Sequence, residues 1–271
     1  MRKNQQTFRV CGLVLLLGAG CGEDSAQGQG DGGSSLAEDA NAGAEHRETQ
    51  FTATVLDSVA VVTTPVSGLT VQVVDNESCE PTGVSKTSNG DGRVDFRNLP
   101  SDPKGRVAFL VQGRSPDYID TWSYNVDPNT KDDVLRAVPQ TSADLTPSLA
   151  QFTEDAAQGP VAGAVYVGES SKKRAPVGCV TVKVLGDEDN DTVRYFSGNL
   201  PQLGPSQTSP DNGRFFVGNL PPGRRTIQAF HEGKMIGEAS LCVKARAAST
   251  TGKNVSLVAI YLPTNPTPDC K

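Results

Sequence analysis

The chain carries one strand-and-turn block twice. Pro65-Val-Ser-Gly-Leu-Thr-Val-Gln-Val73, followed by Asp91-Gly-Arg-Val-Asp-Phe-Arg-Asn-Leu-Pro100, returns as Pro176-Val-Gly-Cys-Val-Thr-Val-Lys-Val184, followed by Asn212-Gly-Arg-Phe-Phe-Val-Gly-Asn-Leu-Pro221. The offset grows from 111 to 121 residues between the two blocks, so the second copy carries an insertion, which the Pro- and Gly-rich stretch from Gly198 to Ser209 can accommodate. A repeat of this period is the size of a domain, not of a solenoid unit.

Within each block, Val71 and Val73, like Val180, Val182 and Val184, alternate with polar neighbours at period two, as a half-buried strand requires. Asp91-Gly92 and Asn212-Gly213 are turn signals, because Gly and Asn accept positive φ at low cost. Leu99-Pro100 and Leu220-Pro-Pro-Gly223 end one strand and start the next. Arg225 to Phe230, Gly237 to Ala245 and Val255 to Leu262 continue the pattern. Many short strands between Gly and Pro turns point to β-sandwiches.

Asn-Gly-Arg-Phe followed by Asn-Leu-Pro-Pro-Gly, with Pro-Val-x-x-Val-Thr-Val upstream, resembles the carboxypeptidase regulatory-like domain. The resemblance implies a mainly β chain with two tandem seven-stranded transthyretin-like sandwiches, at residues 51–113 and 159–263. The first copy departs from the pattern, with Leu99-Pro-Ser-Asp-Pro103 in place of the Pro-Pro-Gly element. The motif residues shape turns and fill cores, so the resemblance implies a fold and not an activity. Residues 114–158 read as a connector. Asp132 to Val138 and Thr146 to Ala156 are its helical stretches, with Thr146 as N-cap and Pro147 at the first helical position. Residues 264–271 form a C-terminal tail.

At the N-terminus, Arg2, Lys3 and Arg9 precede an apolar run from Val10 to Ala19, the layout of a signal peptide. The run is too short to cross ~30 Å of hydrocarbon as a helix, which takes about 20 residues. Leu17-Gly-Ala-Gly20 leading into Cys21 resembles the lipobox of bacterial lipoproteins, with Gly18 where Leu is usual. The resemblance implies removal of residues 1–20, a diacylglycerol thioether on Cys21 and acylation of the new amino group. With Gly22 rather than Asp after the cysteine, it also implies an outer-membrane destination in the cell envelope. Residues 21–50 have almost no large apolar side chain and read as a disordered tether. The membrane, reached through the lipid anchor, is the partner this layout names.

Loss of Arg2, Lys3 and Arg9 takes the formal charge from −6 to −9, and no long Lys/Arg stripe remains, which argues against nucleic acid as a partner. The chain shows no His-Glu-x-x-His, Gly-x-Ser-x-Gly or phosphate-cradling loop, and its two histidines are His46 in the tether and His231 beside Glu232 in a hairpin turn. No catalytic, cofactor-binding or metal-binding set is therefore assigned, and the chain reads as a non-enzyme. Asp187-Glu-Asp-Asn-Asp191 lacks the Gly and late Glu of a calcium loop, with Gly198 where that Glu belongs, and reads as a solvated hairpin tip.

Cys79, Cys179, Cys242 and Cys270 lie in a compartment where disulfides persist. In a seven-stranded sandwich Cys179 and Cys270 fall at one end, so a bridge between them is feasible, while Cys242 is a competing partner for Cys179. Cys79 has no partner within its own copy and either reaches across the copies or stays free. Trp122, Tyr118 and Tyr124 are candidate platforms for a sugar. The leading functional reading is a structural or protein-binding envelope module, and the alternative is a carbohydrate or envelope-polymer binding module. Whether that partner is an envelope protein or a glycan stays open.

Overall fold

A computed structural model describes residues 50–58, 64–100, 105–168, 174–187, 192–198, 200–249, 252–266 and 270. The leader, Cys21, nearly all of the tether and most of the acidic run after Asp187 lie outside the described residues. The described chain is mainly β with one α-helix. Its first half holds β1 (Gln50–Asp57), β2 (Thr70–Val74), β3 (Pro81–Thr87), β4 (Arg93–Arg97), β5 (Val107–Val111), β6 (Tyr118–Val126) and β7 (Asp133–Pro139). The helix α1 (Gln140–Ala150) follows. The second half holds β8 (Gly159–Gly168), β9 (Arg174–Pro176), β10 (Thr181–Val184), β11 (Val193–Ser197), β12 (Leu200–Gln202), β13 (Arg214–Leu220), β14 (Gly223–His231), β15 (Lys234–Val243) and β16 (Asn254–Leu262).

The repeat in sequence is a repeat in pairing. In the first half β1 pairs antiparallel with β4 and parallel with β7, while β5 lies between β2 and β6. In the second, β8 pairs antiparallel with β13 and parallel with β16, while β14 lies between β10 and β15. The copies diverge where the insertion falls. β3 hydrogen-bonds to β2, whereas β11 and the short β12 extend the sheet that holds β13.

The repeated glycine sits where three strands converge. Val55 N donates to Gly92 O at 2.8 Å and Val66 N to Val55 O at 2.8 Å; Val165 N donates to Gly213 O at 3.0 Å and Val177 N to Val165 O at 3.0 Å. Gly92 and Gly213 have φ of 72° and 62°, and a Cβ there would meet Val55 O at 2.9 Å or Val165 O at 2.5 Å. Only glycine combines that backbone with that approach.

A second matched device has no signature in the repeated blocks themselves. The buried Ser88 hydroxyl accepts from Leu69 N (3.0 Å) and donates to Val66 O (2.9 Å). Thr208 accepts from Val180 N (3.1 Å) and donates to Val177 O (2.9 Å). Each hydroxyl satisfies a loop donor and acceptor that would otherwise be buried without partners.

The halves are not joined end to end by a connector. β6 pairs parallel with β16, so one sheet runs β12-β11-β13-β8-β16-β6-β5-β2-β3 through the molecule. The β4-β1-β7 layer packs on one face of its first-half portion, around Phe51, Phe96 and Phe109. The three-stranded sheet β10-β14-β15 packs on the opposite face, around a core that draws Ala108, Leu110, Trp122 and Tyr124 from the first half and Phe215, Ile227, Leu241 and Ile260 from the second.

Two expectations for residues 114–158 are corrected. β6 and β7 occupy much of that segment, because Ile119, Leu135 and Ala137 find partners in the cores on either side. Within the stretch Asp132 to Val138, the residues from Asp133 onward are strand rather than helix for the same reason. The helix begins after Pro139, whose fixed φ (−62°) makes the entry, and Pro147 lies inside it. Thr146 is therefore not the N-cap; its hydroxyl donates to Ser142 O at 2.8 Å.

Candidate functional site

The two halves share a face of the continuous sheet that the β4-β1-β7 layer does not cover. Along β16, Val258, Ile260 and Leu262 point into the large core, so Leu257, Ala259 and Tyr261 point to the other side. The alternation of β8 brings Ala162, Ala164 and Tyr166 to that side as well. These residues floor a cleft of about 90 Å³, walled on the first-half side by Asp133, Val134 and Arg136.

In β7, Leu135 and Ala137 serve the first-half core, and strand alternation turns Arg136 toward the cleft. Arg136 is 6 % exposed. Its guanidinium makes no hydrogen bond or ion pair among the described residues. Burial first, and then the charge of Arg174, push it down to about 10, with Arg214 adding to the effect and Tyr166 and Asp133 opposing it. Asp127 and Asp133 line the cleft as well, and Asp133 Oδ1 accepts from Val134 N at 2.7 Å.

Arg174, from β9, is held by two tyrosines. Its guanidinium lies 4.1 Å from the centroid of the Tyr166 ring and donates to Tyr261 Oη at 3.3 Å. Tyr166 and Tyr261 stack with centroids 6.1 Å apart, and Arg106 approaches the Tyr261 ring at 5.9 Å. Burial raises the Tyr261 hydroxyl above its ordinary range, with Arg174 acting in the opposite sense, so the hydroxyl stays protonated. Three arginines, Arg106, Arg136 and Arg174, thus line the cleft with the two tyrosines at the seam of an acidic protein, alongside Asp127 and Asp133. The arrangement has fixed donors suited to a bound anion.

The aromatic platforms expected from the sequence fall elsewhere. Trp122 and Tyr124, at 8 % and 3 % exposure, are packed between the halves, and Lys244 Nζ sits 5.3 Å from the Trp122 ring centroid. They present no platform to a sugar, which corrects that assignment. The physical reason is the β10-β14-β15 sheet of the second half, whose Val182, Ile227 and Leu241 share a core with Trp122 and Tyr124 on that face of β6. Tyr118 is half-buried at the edge of the first-half core and donates to Asp57 Oδ2 at 3.1 Å. Burial and then Asp57 push its hydroxyl up to about 12.

Cys179 bridges to Cys270, and Cys79 bridges to Cys242 across the two halves. The competing Cys179 to Cys242 bridge is not formed, because Cys242 faces the core that Cys79 enters from the β2–β3 turn. His231 closes the end of β14 with Nδ1 3.1 Å from Cys179 O, and the turn that follows has Glu232 and Gly233 at φ of 50° and 78°. His46, Cys21 and Glu188 to Asp191 lie outside the described residues. Among the described residues no helix is long and apolar enough to cross a membrane.

Sequence reasoning missed the arginine–tyrosine cluster because its members come from β7, β8, β9, β16 and the segment before β5, and no local motif links them. One signal was available: Val107-Ala-Phe-Leu-Val111 is apolar without alternation, and all five residues are buried, as in a strand covered on both faces.

No family model matches the sequence. Comparison with curated proteins finds no match. Among solved structures, the minor pilin GBS52 of Streptococcus agalactiae aligns over 80 % of this chain and 97 % of its own at 14 % identity, with a TM-score of 0.24. The Bacillus anthracis TIE protein aligns over 80 % of this chain and 34 % of its own at 9 % identity, with a TM-score of 0.26. The shaft pilin SpaA of Lactobacillus rhamnosus GG aligns over 79 % of this chain and 98 % of its own at 10 % identity, with a TM-score of 0.23. Superpositions at this level carry no argument about function.

Proposed function

We propose that the chain is a non-catalytic lipoprotein of the cell envelope, in which two transthyretin-like sandwiches of the carboxypeptidase regulatory-like kind, the second with nine strands among the described residues where seven are expected, act as one structural or protein-binding module. The observation that carries this reading is the coupling of the halves. Backbone pairing of β6 with β16, the Cys79–Cys242 bridge and the Lys244–Glu80 ion pair at 2.9 Å all cross between them. A module so fastened transmits position and load without a hinge, which suits display or scaffolding. The lipobox-like Leu17 to Cys21 and the polar stretch that follows supply the anchor and the tether of this reading. An acyl-bearing terminus contributes roughly 0.8 kcal/mol per buried methylene, and more than one chain is needed for lasting attachment.

The test is intact mass and membrane fractionation of the expressed protein beside a Cys21→Ala variant. The reading predicts a wild type carrying diacylglyceryl and acyl mass and sedimenting with outer membranes, and a variant that does neither. Two soluble proteins cut at the same bond would contradict it.

A further inference from the structure

Arg136 poses a physical problem that the fold does not solve. A guanidinium taken almost wholly out of water loses hydration that a carboxylate or an acceptor must replace. Arg136, 6 % exposed, makes no hydrogen bond or ion pair among the described residues; Asp127 and Asp133 line the same cleft and Asp133 favours its charge, but Arg174 and Arg214 act against it. Packing does not require an arginine here, since Val138, on the same side of β7, is buried among apolar side chains. What the arginine adds is charge and up to five fixed donors.

The neighbouring groups have matching roles. Arg174 is immobilised on the Tyr166 ring and by Tyr261 Oη, which uses one of its donors and leaves others for a ligand. The space beside Arg136, about 90 Å³, has room for a small anionic group. It shares Arg106, Asn125, Ala259 and Tyr261 with a larger groove of about 310 Å³, which is also bordered by Arg224, Glu77 and Glu238. A ligand with an anionic end in the cleft would therefore have its body in a groove of mixed charge.

We propose that the cleft between β7 and the β8–β16 sheet is an oxyanion-binding site, in which Arg136 and Arg174 hold a carboxylate or phosphate group borne by a larger molecule. The two guanidiniums supply charge-assisted bonds, and Arg106 stands at the passage to the outer groove. The site explains why a buried, unpartnered arginine is placed at the seam between the halves. It also makes the ligand sensitive to their relative position, because Arg136 belongs to the first half and Arg174, Tyr166 and Tyr261 to the second. This inference goes beyond the display role proposed above and uses neither the anchor nor the tether, so its failure would leave that role standing.

The test is thermal unfolding of the complete chain at pH 7 in acetate, inorganic phosphate or chloride at matched ionic strength. Arginine side-chain N–H resonances are followed in parallel. For a site of millimolar affinity, 10 mM of the favoured anion raises the midpoint by about 3–5 °C over chloride. Preference for phosphate assigns a phosphoryl-bearing ligand, and preference for acetate a carboxylate-bearing one. Arg136→Gln and Arg174→Gln each abolish the response, and the second carries the test if the first does not fold. The proposal is overturned if neither anion exceeds chloride, or if the response persists in either folded variant.

Discussion

Cys79 and Cys242 lie 163 residues apart in sequence, yet their Cα atoms are 5.7 Å apart in a disulfide that fastens the β2–β3 turn of the first half to β15 of the second. The other bridge, Cys179–Cys270, spans 91 residues and ties only the C-terminal tail. Replacing both Cys79 and Cys242 with Ser is expected to lower stability by about 2–4 kcal/mol. Replacing Cys179 and Cys270 is expected to cost less. Urea unfolding of the two double variants checks the order, and a larger loss from the tail bridge would contradict this assignment of roles.

Gly213→Ala introduces a Cβ 2.5 Å from Val165 O at a residue with φ of 62°. Both the backbone strain and the contact with rigid backbone oppose it, so a loss of roughly 2–4 kcal/mol is expected. Gly233→Ala, at φ of 78° in the open β14–β15 turn with nothing within 4 Å, carries the strain alone and is expected to lose only about 1 kcal/mol. Equal losses would show that the three-strand convergence at Gly213 does not matter.

Thr208→Val keeps the side-chain shape and removes the hydroxyl that bridges Val180 N and Val177 O. Leaving both buried groups without a partner is expected to cost about 2–3 kcal/mol. Thr208→Ser restores the bridge, as Ser88 forms it in the other copy, and is expected to cost under about 1 kcal/mol. Chemical denaturation distinguishes the two, and a Val variant as stable as the Ser variant would remove the hydroxyl from the account.

Lys253 joins α1 to the second half through Asp144 at 2.9 Å and Glu154 at 3.2 Å. The Lys253 hydrogen bond, with help from Gln140, holds the Asp144 carboxyl below its usual range. A depressed carboxylate stabilises above its unfolded value, about pH 4, and loses that contribution as pH falls through the folded value. On Lys253, burial acts downward and is outweighed by the two carboxylates, so its value is raised and its contribution is lost only in strong base. Amide exchange over Gln140–Ala150, corrected for intrinsic rates, is expected to quicken at pH 3 by no more than about fivefold, because the pair is partly exposed. Asp144→Asn should reproduce the effect at pH 7, and unchanged exchange in that variant would contradict it.

The repeat is legible in the sequence because strand alternation and turn chemistry are local. Val71 and Val73, Gly92 and Gly213, and the strands that end at Leu220 and begin at Gly223 lie where the sequence places them. The seam is not legible. β6 reads as a connector because its pairing partner, β16, is more than a hundred residues away, and parallel pairing leaves no turn between partners to be read. Trp122 reads as an exposed platform because the β10-β14-β15 sheet that covers it comes from the distant second half. Arg136 sits in a stretch whose charges suggest a helix, and only the closing of β7 against β1 turns it toward Arg174.

The central claim is that the halves move as one body, held by β6 and β16. Residual dipolar couplings of backbone amides in residues 50–139 and 159–262, measured in one alignment medium, test it most directly. One shared alignment tensor is the predicted result, with Asn254–Val258 amides among the slowest to exchange. Two distinct tensors, or rapid exchange along the β6–β16 seam, would contradict the account.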